Sequence, residues 1–131
     1  FCIDIGAVRE IRGWTQSTRI PHAPSYLLGV INLRGAILPV VDLRARLGLG
    51  VTEASSRHVI VVIQHGERTA GLIVDAVRET FVTDIGSLQP PPAWAGSPAP
   101  SLVGAVIARE DGLVSRLVLE RLVPGQDQMA A

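Results

Sequence analysis

The chain has no lysine and a single cysteine, Cys2, among its 131 residues. One thiol excludes an internal disulfide and a metal site built from several thiolates. The 12 basic residues, all arginine, are balanced by 12 acidic ones, and the five aromatic residues are scattered, which argues against nucleic acid as a partner. No apolar run reaches the roughly 18 residues that span a bilayer, and no secretory signal opens the chain. We therefore expect a cytoplasmic protein that does not insert into membranes.

Short apolar runs separated by turn residues make up most of the sequence. Three predicted hairpins pair residues 29–33 with 36–41, 58–64 with 68–77, and 102–109 with 113–120. Their loops are Arg34-Gly35, "HGE" and Glu110-Asp111-Gly112. "FCIDI" (1–5) and "ETFV" (79–82) are predicted as further strands. Strands this short favour an all-β barrel or sandwich over a parallel α/β sheet.

A few helical turns and one loop complete the prediction. Ser25 is a candidate N-cap for "YLLG", Asp42 for "LRARLG" with Gly48 as its stop signal, and Asp84 for "IGSL". "LERLV" is expected to form a last turn, and the proline-rich residues 89–100 an exposed loop.

Two features of the strands indicate two packed layers. "VIVVI" (59–63) is apolar on both faces, so we expect it to lie buried between layers rather than on a half-wet sheet. Pro39 lacks an N–H and belongs at a sheet edge or bulge. Two small barrels that share an apolar seam satisfy both observations.

The sequence predicts no catalytic, metal or cofactor site. Serines and histidines are present, but no G-x-S-x-G elbow occurs, and the three histidines lack metal-ligand spacing. The glycines form neither a dinucleotide fingerprint nor a P-loop. A small-ligand-binding or hydrolytic β-barrel remains the alternative from another class, and Ser and His within hydrogen-bond reach in a polar pocket would favour it.

Binding surfaces are the other candidates. "AVREIRGW" (7–14) mixes aliphatic and charged residues, as a surface rimmed by charge does, although a solvated amphipathic strand has the same pattern. In "GVINLRGAILPVVDLRARLG" (29–48), Asn32, Arg34 and Asp42 interrupt an apolar run. We expect these three residues to organise a turn and a docking face.

The order of these motifs resembles that of the CheW family of chemotaxis coupling proteins. The matching features are V-x-E-I, T-R-I-P, A-P, G-V-I-N-L-R-G and P-V-V-D-L-R, followed by "HVIVVI" and "RTAGLIVDAV", and the likeness covers essentially the whole chain. It implies an all-β fold of two small five-stranded β-barrels around a shared hydrophobic core, in a single domain of residues 1–131. A CheW-like module of a larger CheV-like or kinase protein is the nearest alternative.

The resemblance also implies a function without catalysis or cofactors. CheW-like domains are adaptors at cytoplasmic receptor arrays, where they bind chemoreceptor tips and the regulatory domain of the histidine kinase CheA. The implied receptor-facing residues are Val8, Glu10, Ile11, Arg34 and Val59. No compact motif marks the kinase contacts.

The family pattern places a strand and a turn before the stretch that matches "FCIDI". The resemblance therefore implies that the N-terminal barrel lacks its first strand within this chain. An open edge of that kind is shielded by another molecule, through strand-mediated self-association, or is left frayed. We accordingly expect residues 1–5 to be poorly packed in an isolated chain.

Overall fold

The protein consists of two antiparallel-rich β-sheets and a few single helical turns. The computed structural model describes residues 1–53, 55–90, 102–110 and 112–124. Within them the strands are β1 (Val8–Gly13), β2 (Leu27–Leu33), β3 (Ala36–Asp42), β4 (Val59–His65), β5 (Arg68–Val74), β6 (Leu88–Gln89), β7 (Val103–Arg109) and β8 (Gly112–Leu117). The helices are α1 (Leu43–Arg46) and α2 (Leu119–Leu122), and 3₁₀ turns cover Ile5–Ala7 and Ile85–Ser87. The strand order is β1-β4-β5-β3-β2 in the first sheet and β6-β7-β8 in the second. The all-β fold class is confirmed.

The three predicted hairpins are all present. At the β2–β3 turn, Arg34 and Gly35 both have positive φ, 53° and 87°, as expected for a two-residue turn that matches the twist of its strands. The Asn32 side chain accepts the Gly35 N–H at 2.9 Å and so closes this turn. His65 is the last residue of β4 rather than part of the loop, because it still pairs with Arg68.

The first sheet curls into a barrel-like shape. In a flat sheet with about 4.8 Å between strands, β1 and the β2–β3 turn would lie about 17 Å apart. Instead, an Arg34 guanidinium nitrogen lies 2.6 Å from a Glu10 carboxylate oxygen. Trp14, just after β1, also packs against the same cluster as Ile31 of β2. The two ends of the strand order therefore converge.

The strand over residues 59–63 lies between two apolar clusters, as predicted. Residues 60–63 are fully buried, without alternation. Ile60 and Val62 belong to the inner cluster of the first sheet, whereas Val61 and Ile63 face an outer cluster. The outer cluster also contains Leu102, just before β7, with Val103, Val106 and Leu117 of the second sheet and Leu122 of α2. The shared core is thus the outer face of the first sheet packed on the second.

Asp42 begins α1, as its position predicts. Its carboxylate is completely buried and accepts the Ala45 N–H at 3.3 Å and both the N–H and the hydroxyl of Thr52 at 2.7 Å. Gly48 ends the turn with φ 77°. Asp42 therefore organises the loop over residues 43–52. Its expected place on a docking face is wrong, because no part of the side chain reaches the surface.

Two local predictions are wrong. Ser25 caps no helix over "YLLG", because β2 begins at Leu27 and buries alternate side chains. Residues 79–82 form no strand. Instead, the Arg109 guanidinium carbon lies 4.0 Å from the centroid of the Phe81 ring, and Arg109 Nη2 lies 3.8 Å from Glu79 Oε1. Side-chain contacts with Arg109, rather than a backbone ladder, connect this segment to β7.

Pro39 lies inside an interior strand, but at a position that tolerates it. The parallel ladder between β3 and β5 begins only at Val40, so the strand is locally unpaired on that side at Pro39. On its other side Pro39 is the partner of Val30. The edge-like environment predicted from the sequence is therefore present only locally. Most of the proline-rich loop, residues 91–100, lies outside the described residues.

The N-terminal segment is better packed than expected. The backbone of Cys2 forms a parallel bridge to β8. Its N–H donates to the Ser115 carbonyl at 2.9 Å, and its carbonyl accepts the Leu117 N–H at 3.0 Å. Ile3 packs against the shared core, while Phe1 and Ile5 stay exposed. Burial raises the pKa of the Cys2 thiol, although nearby positive charges oppose this. The expected poor packing is wrong at Cys2 and Ile3, because the outer edge of β8 offers both a donor and an acceptor.

Candidate functional site

A cleft of about 490 Å³ opens at one end of the first sheet, where the β2–β3 and β4–β5 turns meet β1. Buried apolar residues form its floor: Leu33, Leu38 and Val62. Charged and exposed residues form its rim: Arg9, Glu10, Arg34, Ile37 and Glu67. An apolar floor with a polar rim suits a protein contact, in which apolar burial supplies affinity and the rim sets orientation.

The Glu10–Arg34 ion pair crosses this rim. The pair joins residues 24 positions apart, and the two side chains are 27% and 75% exposed, respectively. An exposed pair of this kind contributes only about 0.2–1 kcal/mol to stability. Arg34 offers further guanidinium donors to a partner, since the group carries five N–H bonds in total. The pair is therefore suited to recognition more than to holding the fold together.

The exposed edge of β1 adds an apolar element to the site. Side chains along β1 alternate between half-buried and exposed, and Ile11, next to Glu10, is 52% exposed. Within the described residues, β1 pairs only with β4 and so stands at the end of the strand order. The unpaired edge of β1 is a template on which another chain can pair, and Ile11 places an apolar side chain on that edge.

The other two predicted receptor-facing residues occupy different surroundings. Val8 is half-buried and packs against the shared core, so its side chain serves packing as well as any contact. Val59 begins β4, pairs with Gly13 and is half-buried. Val59 lies three residues before Val62, the partner of Glu10, and three residues correspond to about 10 Å along a strand. The structure thus joins Glu10 and Arg34 directly, places Ile11 next to Glu10 along β1, and leaves Val59 at the far end.

Two rim residues, Ile37 and Glu67, escaped the sequence reasoning, whereas Arg9 lies in the stretch 7–14 that the sequence marks as a candidate surface. Ile37 follows the Arg34-Gly35 turn and is two-thirds exposed, but burial along β3 does not alternate, so no periodicity marks it. Glu67 belongs to the β4–β5 turn, and no local signal connects it with the cleft.

A Ser–His–Asp arrangement exists away from the cleft. His58 Nε2 lies 3.3 Å from Asp75 Oδ1, and Ser55 Oγ lies 3.4 Å from His58 Nδ1. However, Nδ1 already accepts the Ser55 backbone N–H at 3.1 Å, and Ser55 Oγ accepts the Arg57 N–H at 3.3 Å. Neither of the two clefts described in the structure includes these residues. The contacts connect the turn before β4 to the end of β5, and they do not present an activated hydroxyl to a substrate.

Metal sites and membrane-spanning helices are the other possibilities to consider. In the described part of the chain, no three histidine, cysteine, aspartate or glutamate side chains come close enough together to hold a metal ion. Nor does that part contain a helix with the length and apolar character needed to cross a bilayer.

Comparisons with known proteins agree on one family. The sequence model of the CheW-like domain family matches residues 1–126. The chain is 47% identical over 131 residues to the chemotaxis protein CheW of Rhizobium meliloti (strain 1021), covering all of this chain and 84% of that protein. It is 31% identical over 127 residues to the chemotaxis protein CheW of Klebsiella aerogenes, covering 97% of this chain and 76% of that protein. Among solved structures it is similar to the scaffolding protein TtCheW of Thermoanaerobacter tengcongensis, with a TM-score of 0.79 and 35% identity over 89% of this chain and 75% of that one.

Proposed function

Because this chain belongs to the CheW-like domain family and is a chemotaxis coupling adaptor, we propose that its cleft and the edge of β1 bind the cytoplasmic tip of a chemoreceptor. Its other partner is the regulatory domain of the histidine kinase CheA. The receptor-facing residues are Val8, Glu10, Ile11, Arg34 and Val59, and the protein performs no catalysis itself. It works in the cytoplasm, at receptor arrays.

One observation carries the proposal: the Glu10–Arg34 pair lies on the rim of an apolar-floored cleft, and the next residue of β1, Ile11, is an exposed apolar side chain on the free edge of the same strand. Receptor tips of the family are helical, and an amphipathic helix binds in a groove through apolar anchors at helical spacing. The charged rim then sets the register of the helix.

The expected energies fit a reversible contact. Full burial of an isoleucine contributes about 1.5–3 kcal/mol, and Ile11 is half exposed, so roughly 1 kcal/mol is available on docking. A charge-assisted hydrogen bond from Arg34 adds about 1.5–3 kcal/mol if its partner is correctly placed. A few such contacts give the moderate affinity that a signalling adaptor needs, without any change in the backbone of the adaptor.

We also propose that residues 1–131 act as one domain with two subdomains, one for each sheet. Besides the shared core, Arg46 and Arg68 of the first subdomain donate to the carbonyls of Arg121 and Val123, at 3.3 Å in both cases. These contacts attach α2 to the first sheet. A receptor contact on β1 and a kinase contact elsewhere are therefore made by one connected body.

The test is charge reversal at Arg34, with binding to a receptor tip fragment measured by calorimetry. Arg34→Glu is expected to weaken tip binding at least about tenfold, a loss of about 1.4 kcal/mol, while the free energy of unfolding changes by less than about 1 kcal/mol. Arg116→Glu is the matched control, because Arg116 forms a similar exposed pair with Asp4 at 3.8 Å on the second sheet. It should leave tip binding unchanged.

The double variant Glu10→Arg with Arg34→Glu distinguishes two roles. If the pair only shapes the cleft, the swapped pair restores binding; if Arg34 contacts the receptor directly, binding stays weak. Unchanged tip binding in Arg34→Glu would contradict the proposed site, and a large fall in the melting temperature would show that Arg34 maintains the fold instead.

A further inference from the structure

The ring of His58 accepts a hydrogen bond at Nδ1 and has a carboxylate close to Nε2. Nδ1 lies 3.1 Å from the Ser55 backbone nitrogen, and Nε2 lies 3.3 Å from Asp75 Oδ1. A backbone N–H can only donate, so Nδ1 must carry a lone pair and the ring proton must be on Nε2. The geometry therefore requires the neutral imidazole. With its side chain 13% exposed, His58 has little room to turn away without opening the structure around it.

A second proton on His58 would enter at Nδ1 and face the N–H of Ser55. The approach of Nε2 to Asp75 does not depend on the neutral ring, because Nε2 carries a proton in both states. Asp75 is largely exposed, so water screens its attraction for the added charge. The charged residue next to His58 in this turn is Arg57, whose backbone N–H donates to Ser55 Oγ. Ser55 Oγ lies 3.4 Å from Nδ1 and can accept a hydrogen bond from a protonated ring, whereas the Ser55 N–H can only donate. The backbone bond from Ser55 is thus the contact that depends on the neutral ring.

The turn controls where β4 begins. The His58 N–H also donates to the Ser55 carbonyl at 3.0 Å, so residues 55 and 58 are joined by backbone and side chain together. Val59 follows immediately and pairs with Gly13 of β1 and Val74 of β5. Loosening the turn therefore acts first on Val59.

We propose that Ser55, His58 and Asp75 form a proton-sensitive clip that positions the Val59 end of the receptor-binding face. The neutral ring holds the turn closed, and protonation releases the Ser55 N–H and lowers the affinity for a receptor tip. This inference rests on the proposed function, in which Val59 contacts the receptor. Loss of one neutral hydrogen bond corresponds to about fivefold weaker binding.

Two readouts test the clip in the intact chain between about pH 8 and pH 5.5, the range in which an imidazole changes charge. The first readout follows the NMR chemical shift of the Ser55 amide and that of the His58 ring as the pH is changed, and asks whether the two change together. The second is the binding of a receptor tip fragment, measured by calorimetry. In the variant His58→Asn, the side-chain Oδ1 takes the place of Nδ1 and accepts the Ser55 N–H at every pH. His65→Asn is the matched control, since His65 ends the same strand and its pair with Glu120 is long, 4.0 Å.

The clip predicts that the Ser55 amide titrates together with the His58 ring. It also predicts that tip binding weakens about fivefold in acid for the native chain and for His65→Asn, but not for His58→Asn. An equal pH dependence of binding in the native chain and His58→Asn overturns the proposal. If the native chain does not bind the tip even at about pH 8, the proposed function fails, and the clip is then decided by NMR alone: a Ser55 amide that does not follow His58 refutes it.

Discussion

The buried carboxylate of Asp42 offers the sharpest test of how the fold is held together. In Asp42→Ala, the first turn of α1 loses its cap, which costs about 1 kcal/mol. The Thr52 N–H and hydroxyl, each 2.7 Å from the carboxylate, lose their acceptor, and a partly buried donor left unpaired costs about 1–3 kcal/mol. Relief of carboxylate burial offsets part of this loss. We expect a net destabilisation of about 3 kcal/mol.

That value converts into a measurable melting temperature. At about 2.1 cal/mol/K per residue, the unfolding entropy of a 131-residue chain is about 0.28 kcal/mol/K, so about 3 kcal/mol lowers the melting temperature by about 11 °C. Calorimetry and urea unfolding measure this. Thr52→Val isolates the hydroxyl and should cost about 1 kcal/mol.

The double variant Asp42→Ala with Thr52→Val should be less destabilised than the sum of the two, because both changes remove the same bond. Additive effects, or a cost below about 1 kcal/mol for Asp42→Ala, would mean that the carboxylate does not hold the loop over residues 43–52.

The remaining predictions concern backbone packing and the open edge of β8. Gly29→Ala should destabilise the protein by more than about 2 kcal/mol in urea unfolding, because the new Cβ would lie 2.2 Å from the Thr18 carbonyl oxygen. Gly66→Ala is the control: Gly66 also has positive φ, but no atom lies within 4 Å of the new Cβ, so the cost should be only about 1 kcal/mol. Equal costs would contradict the close approach of residue 18 to β2. Deletion of residues 1–4 removes the bridge between Cys2 and β8 and should promote self-association in light scattering, since an unpaired strand edge recruits another chain. An unchanged monomer content would show that this edge is protected in another way.

The hairpins and the Asp42 cap could be predicted because their signals are local. Arg34-Gly35 between two apolar runs, Gly112 before "LVSRL", and Asp42 before "LRARLG" each satisfy a neighbouring backbone group or a required φ. A local signal alone was not sufficient, since Ser25 precedes a strand instead of a helix and Asp84 makes no capping side-chain bond. "ETFV" has strand-forming residues, but its position depends on Arg109, 30 residues away, and sequence periodicity carries no information about that contact.

The candidate site was predicted only in part, because its residues are marked by local motifs but their arrangement in space is not. Glu10, Ile11 and Arg34 could be named from motifs that resemble a family, but their proximity depends on the curl of a five-stranded sheet. The sequence shows only that His58 lacks metal-ligand spacing, because its neighbours in space, Ser55 and Asp75, come from both ends of a hairpin.

By itself, the sequence determined most of the strand pattern, the turn chemistry and the burial of residues 60–63, because each follows from side-chain periodicity or from the backbone needs of a few adjacent residues. Tertiary structure decided which apolar cluster each face of β4 joins, why Asp42 is buried, and how Glu10 meets Arg34. These outcomes depend on register and sheet curvature, which are selected by burying two apolar faces at once. No single segment of the chain specifies how both faces of the sheet are buried, because the residues that cover them come from distant parts of the sequence.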